Sequence, residues 1–517
     1  MTEHISKYKI NFIILVFAFA ISIRLLFVWY NFHGIEYEDA YIFADTARSL
    51  MFDYDWSTDI FQTKSCMDGS LKECYMTKTY GGHYMVFPFV LYLLNKLIGF
   101  SVLNVFIINF IASVLVLYVF YKLLKSLKKN NNEIIVAMVM FTSTPFINVF
   151  NTSGLSETFS SLLVLSFVYF FFKICIEISE CDFKYYVLAI TFVILSFLTK
   201  RENLILLILP VLKIVVDLYY KDISYRNAFR LSSITIIPSV FALIYNMFSK
   251  VNEMEMAESK ELGVSTFSFD IFKELFPVYL KSYFNFNLYG ISGIIVIIFC
   301  IYAIFKKNND ELKITSILSV LYLVMYSSHY RSYYQIHYGD VEVFDTLRYS
   351  SNFYPIACLA LSNFYGLILN YSHRINKITI RLVIVFFMLF VIYSNFKLRI
   401  NLSEIEHAKI ILPITQTLEI TSENDIVLTD MTSVFHLYAD VNRIFLDSHN
   451  VSFERINSIA DSGNFKIYFL NKIDNDKNIV RYDNFKKIID NFTFKRVAKI
   501  NNDYELILLL KSDRSGR

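Results

Sequence analysis

The sequence is built around apolar stretches about 20 residues long, which is the length a helix needs to cross the hydrocarbon core of a bilayer. Such stretches begin near Ile10, Leu103, Glu133, Thr158, Tyr186, Asn203, Phe229, Tyr289, Leu312, Asn352 and Arg381. In lipid every backbone amide must find its partner within the protein, so the segments are expected as helices. The expected fold class is mainly α, a polytopic transmembrane helical bundle of about 11 spans with a small C-terminal α/β extracytoplasmic domain. With 55% hydrophobic and 17% aromatic residues, the 517-residue chain is too apolar for the several soluble domains its length would otherwise suggest. A formal net charge of +3 leaves no basic surface for nucleic acid and no acidic tail.

Lysines and arginines orient the bundle. Lys122, Lys125, Lys128 and Lys129 share one connection, Lys221, Arg226 and Arg230 a second, Lys306, Lys307 and Lys313 a third, and Arg374, Lys377 and Arg381 a fourth. These connections alternate along the chain, so the positive-inside rule places all of them in the cytoplasm with the N-terminus, Lys7 and Lys9 included. An odd number of spans then puts the C-terminal domain outside a multi-pass cell-membrane protein. The first apolar stretch, 10–30, has no small-residue cleavage signal after it and is expected as a retained helix rather than a signal peptide. Residues 85–100 would break the alternation as a span and contain Pro88, Asn95 and Lys96, which suits a helix lying in the interface. The outer connections 31–101, 249–287 and 327–351 are long, and long loops over a membrane body are where a site is built.

From about residue 401 the pattern changes to short β-rich runs, "DIVLTD", "NRIFLD", "KIYFL" and "YELILLL", separated by polar helix-like segments. The expected division is therefore a transmembrane domain, 1–400, and an α/β domain, 401–517. The latter has neither a Gly-rich phosphate loop nor a nucleophile constellation, and reads as a binding or capping module. Six cysteines are scattered without zinc or iron–sulfur spacing. Cys66 and Cys74 share a polar loop, either as a disulfide on an oxidising face or as two thiols.

Four clusters can carry chemistry. In "GIEYEDAYIFADTARSL", Glu36, Glu38 and Asp39 sit where the chain leaves its first helix, with Asp45 close behind. Adjacent carboxylates at a lipid interface repel, so they fit a cation or proton-transfer role, although acids at a solvated helix N-terminus also suit the dipole. Glu157, after Ser153, Gly154 and Ser156, shares their face by topology, with first-turn capping as the competing account. "LSFLTKREN" puts Lys200, Arg201 and Glu202 on the outer side, where positive charge runs against the usual bias and calls for an anion: Glu202, a lipid headgroup or a substrate. In the loop 327–351, Arg348 directly precedes a span, where a guanidinium can fork onto a lipid phosphate. Arg24, inside the first helix, either snorkels or pairs with an outer acid.

The order of these features resembles the C-type glycosyltransferase (GT-C) superfamily, in particular its bacterial protein-mannosyltransferase-like and aminoarabinose-transferase-like branch. Glu38 and Asp39 match the acidic pair after the first helix. "GGHYMVFPFVLYLLNKLIGF", with His83 and Pro88, matches the interfacial helix, with one proline where the family has two. "STPFINVFNTSGLSETFSSLLVLSF" is similar to the family's third and fourth spans and their acid, here Glu157, "LSFLTKREN" to its Leu-Thr-Lys turn, and "LRYSSNFYP" to the Arg-Tyr that opens a late helix. The resemblance implies a polyprenyl-phosphate-linked sugar as donor, inverting transfer at the outer membrane face, and a glycan, lipid or protein acceptor. It implies Asp39 as the base with Glu38 assisting, Arg348, Lys200 or Arg201 on the donor phosphate, and Glu157 with His83 toward the acceptor or a divalent cation. Metal dependence is open at this point. A transporter or flippase would instead carry ionisable residues in mid-span, and a polysaccharide polymerase or ligase would not need the acidic pair.

Overall fold

The structure is a computed structural model. It describes residues 13–25, 38–52, 57–58, 79–80, 85–142, 144, 147–148, 153–176, 183–221, 223–247, 268–305, 310–329, 353–363, 393, 412–422, 425–429, 444–447, 456–457, 460, 466–472, 492–500 and 504–511. The chain divides into two compact units: Met1–Phe32, Gly82–Phe87 and Phe106–Ile400 form the first, and His33–Gly81, Pro88–Val105 and Asn401–Arg517 the second.

The first unit is helical. Its long elements start close to where the apolar runs begin: α1 (Ile13–Leu25), α4 (Asn104–Ser126), α5 (Asn131–Thr142), α6 (Ser156–Ile176) and α7 (Phe183–Thr199). A 3-10 turn (Arg201–Leu207) leads into α8 (Ile208–Tyr219), followed by α9 (Tyr225–Met247), α10 (Phe269–Tyr283), α11 (Phe286–Phe305), α12 (Asp310–Ser328) and the short α13 (Tyr354–Cys358). Among the described residues, Asn104–Ser126, Ser156–Cys175 and Tyr225–Ile244 are long and apolar enough to cross a membrane, and five shorter helices are also apolar. The span expected from Arg381 lies outside the described residues, apart from Tyr393. One element departs from expectation. α10 falls in a stretch read as an outer connection, because Lys273, Glu274 and Lys281 lower its hydropathy. Its buried Ile271, Leu275, Tyr279 and Ser282 recur at helical spacing, so it packs by one face only.

Packing in this unit is aromatic. Phe170 of α6 stacks on Phe192 of α7, with ring centroids 5.4 Å apart. Tyr322 of α12 stacks on Phe353 at 5.8 Å. Polar pins cross the helices as well: Tyr186 of α7 and Thr235 of α9 share a 2.8 Å hydrogen bond, and Asn109 of α4 donates to the Leu155 carbonyl at 2.8 Å.

In the second unit, α2 (Glu38–Phe52) precedes a two-stranded antiparallel pair, β1 (Ser57–Thr58) and β2 (Thr79–Tyr80). α3 (Val86–Ile98) occupies the stretch expected as an interfacial helix. At 13 residues it is about 20 Å long, well short of a bilayer core of roughly 30 Å. Its exposed apolar residues are Phe89, Leu93, Leu97 and Ile98, while Asn95 turns inward and its Oδ1 accepts from Asn104 Nδ2 at 2.7 Å. The helix ends at Gly99, whose φ of 90° is in the left-handed region, and whose carbonyl also accepts from Asn104 Nδ2.

The C-terminal part follows α14 (Leu412–Ile420) with β3 (Ile426–Thr429), β4 (Ile444–Asp447), β5 (Ile467–Lys472), β6 (Phe492–Lys499) and β7 (Tyr504–Lys511), ordered β4-β3-β5-β7-β6. β3 runs parallel to β4 and β5, with Ile426 opposite Ile444 and Ile467. β7 is antiparallel to β5 and β6. The four β-rich runs are thus four of the five strands. β6 was not anticipated because Lys495, Arg496 and Lys499 disguise an edge strand whose Phe492 is buried.

Candidate functional site

The site is built where α6 begins and α7 ends. Gly154 precedes α6 with φ 81°, a conformation in which any side chain is strained, and this turn sets Ser156 and Glu157 as the first residues of the helix. There the carboxylate meets the positive end of the helix dipole. α7 stops at Thr199. Lys200 takes an extended backbone (φ −151°, ψ 121°), and the chain re-enters as the 3-10 turn 201–207. This break brings Lys200 Nζ to 2.8 Å from Glu157 Oε1, with both residues 2% exposed. The sequence left Glu202, a lipid headgroup or a substrate as anions for Lys200, and the structure sets it against a different one, Glu157, 43 residues away.

Three residues past Lys200 lies an amide at a position expected to open a span. Asn203 is fully buried. Its Nδ2 donates to Ser160 Oγ at 2.8 Å and to the Ser196 carbonyl at 3.0 Å, and its Oδ1 accepts from Tyr322 OH at 2.9 Å. One side chain thereby joins α6, α7, the 3-10 turn and α12. Next to it Tyr326 OH donates to Glu202 Oε1 at 3.1 Å. The available signal was an Asn inside an otherwise apolar run, "NLILLILP", where a buried amide needs partners. Tyr322 and Tyr326 were hidden among interface tyrosines. Arg201, beside Lys200, is half-buried.

The other expected site residues are placed as follows. Glu38 and Asp39 are the first two residues of α2, in the second unit, and their side chains lie outside what is described. Asp45, one turn and a half further on, is fully buried 3.6 Å from Arg48. His83, Arg348, Cys66 and Cys74 lie outside the described residues. Among the described residues no three His, Cys, Asp or Glu side chains converge as a metal set. Glu157 Oε1 already faces an ammonium, which a divalent cation on the same oxygen would oppose.

Comparison with known proteins supplies the context. The family described as dolichyl-phosphate-mannose-protein mannosyltransferase matches residues 82–251, a stretch that contains Glu157, Lys200 and Asn203. No curated protein matches the sequence significantly. Among solved structures the chain is similar to ArnT from Cupriavidus metallidurans bound to undecaprenyl phosphate, with 11% identity, a TM-score of 0.58, and coverage of 96% of this chain and 98% of that one. It is also similar to the Archaeoglobus fulgidus oligosaccharyltransferase in complex with zinc and sulfate, at 12% identity, TM-score 0.52 and coverage of 89% and 68%. The archaeal oligosaccharyltransferase AglB with an inhibitory peptide and a dolichol-phosphate gives 11%, 0.51, and 90% and 69%. The chain shares the fold of these structures, a helical body with a small C-terminal sheet.

Proposed function

We propose that the protein is an inverting glycosyltransferase that moves a sugar from a polyprenyl-phosphate donor to an acceptor on the outer face of the membrane. The observation that carries this reading is the full-length similarity to a structure bound to undecaprenyl phosphate, coupled with a buried Lys200–Glu157 pair inside the family-matched stretch. A buried ion pair is weak evidence for stability, because the desolvation of both charges offsets their attraction. Its retention in an apolar body fits a role in the chemistry.

The acceptor hydroxyl is a poor nucleophile until a base takes its proton. Asp39, with Glu38 beside it, is assigned that role. The hydroxyl oxygen forms a bond to the anomeric carbon as the bond from that carbon to the phosphate oxygen breaks, the proton passes to Asp39, and polyprenyl phosphate leaves. Arg348 and Arg201 are assigned to the phosphate, whose charge rises as the bond breaks. Lys200, its ammonium 2.8 Å from Glu157, serves to orient that carboxylate toward the acceptor, and His83 is assigned the same role. The eleven-span count, the cytoplasmic N-terminus and the 1–400 and 401–517 division belong to the same proposal.

The test is sugar release from a polyprenyl-phosphate donor in membranes containing the protein. The expected result is transfer with stoichiometric polyprenyl phosphate, and Arg348→Ala raising the donor requirement far more than the acceptor requirement. No release from any lipid-phosphate sugar, or an effect of Arg348→Ala on the acceptor alone, contradicts the assignment.

A further inference from the structure

Arg24 sits near the C-terminal end of α1, and neither of the roles open to it from sequence is realised among the described residues. Snorkelling requires the guanidinium to reach water, yet Arg24 is 0% exposed. Its Nη1 donates to the Ala20 carbonyl one turn back in its own helix, at 3.0 Å, while Nε and Nη2 are buried without a hydrogen-bond partner among the described residues. The contrast with Lys200 is direct: that buried cation has a carboxylate at 2.8 Å, whereas Arg24 meets, among the described residues, the partial charge of a peptide carbonyl. A guanidinium keeps its proton at neutral pH, so burial does not relieve it of its charge. The two unpartnered nitrogens form the edge of a guanidinium that grips a tetrahedral oxyanion with two parallel hydrogen bonds.

The same helix offers a place for an apolar chain. Ile13, Ile14 and Phe17 of α1, with Tyr118 and Tyr121 of α4, line a cavity of about 370 Å³. Phe17 and Arg24 are seven residues apart on the helix, about 10 Å along its axis. A free phosphate has no use for that crevice. A phosphate carried on a long hydrocarbon does.

We propose that Arg24 is a lipid-phosphate site: its Nε and Nη2 donate to two phosphate oxygens of a polyprenyl phosphate, and the α1–α4 crevice seats part of the isoprenoid chain. This rests on the reading of the donor as a lipid phosphate and adds a residue that reading does not use.

The experiment is binding of undecaprenyl phosphate to the purified full-length protein in detergent, followed by native mass spectrometry and by the shift in Tm, for the wild type, Arg24→Lys and Arg24→Gln, with inorganic phosphate as a parallel arm. The expected result is that Arg24→Gln binds the lipid roughly tenfold to hundredfold more weakly. Arg24→Lys, which keeps the charge and loses the fork, should fall between, and inorganic phosphate should give little shift in any of the three. An Arg24→Gln protein that has a lower Tm but an unchanged lipid affinity means that the counter-ion belongs to the chain itself, and overturns the site. Should Arg24→Gln not fold, wild-type affinity in Arg24→Lys overturns it equally. An Arg24-dependent response to inorganic phosphate as large as that to the lipid overturns the lipid assignment. A wild type that binds and turns over the lipid-linked donor while Arg24→Gln binds it equally well defeats this inference alone. A wild type that binds no polyprenyl phosphate defeats the donor reading along with it.

Discussion

At the α6–α7–α12 junction of the helical unit the buried side chains include the Lys200 ammonium, the Glu157 carboxylate, the Asn203 amide and the Tyr322 phenol, linked by hydrogen bonds of 2.8 to 3.0 Å. In the C-terminal sheet the core cluster is Ile426, Leu428, Ile456, Ile467, Phe469, Phe492, Ile507 and Leu509, held by packing. Both regions are buried, but burial acts differently in them. In the sheet it stabilises a scaffold non-directionally, in proportion to the apolar area removed from water. In the helical junction it raises the strength of every charge interaction and the cost of every missing partner. Chemistry is expected where polar groups are buried at a net cost, and the sheet has the character of a support.

The contrast predicts different responses to truncation. The largest effect is expected from Lys200→Met, which strands a buried carboxylate and should cost about 3–5 kcal/mol in denaturant unfolding. Adding Glu157→Gln should recover most of that loss in stability but not the activity. A Lys200→Met protein as stable as wild type would break the comparison. Leu428→Ala in the sheet should cost about 2–5 kcal/mol through the cavity it leaves, with turnover per folded molecule unchanged. Asn203→Leu removes one hub of the junction and should cost about 1–3 kcal/mol, with a fall in kcat that the Leu428→Ala variant does not show.

The smallest effect concerns pH. Burial, and secondarily Asp425, push the Tyr468 phenol above its usual value of 10. The fold thus favours the neutral phenol. Its contribution to stability is complete below the unfolded value and is lost as pH rises through the folded one. Tyr468→Phe should flatten the alkaline limb of the stability profile above about pH 10 and leave neutral pH almost untouched.

Sequence was a good guide wherever one local property decided the outcome. α4 begins at Asn104 against an expected Leu103, α6 at Ser156 against Thr158, and α11 at Phe286 against Tyr289, because a long apolar run has few other fates in lipid. α10 escaped a hydropathy reading since its signal is periodic burial of Ile271, Leu275 and Tyr279, not mean hydropathy. At the site, Lys200 stands out in sequence as a positive charge on the side expected to be outer, and Glu157 as an acid expected on the same side. Their pairing does not, because it depends on how α6 and α7 pack. Asn203 was the hardest to see: its worth lies in partners on three other segments, Ser160, Ser196 and Tyr322, two of them far from it in sequence.

The central claim is that an outer carboxylate activates an acceptor against a lipid-phosphate sugar, and Asp39→Asn tests it most directly. Initial rates of sugar transfer from a polyprenyl-phosphate donor should fall by about 10²- to 10⁴-fold in the variant, with donor binding retained. Transfer at the wild-type rate by Asp39→Asn would contradict the account.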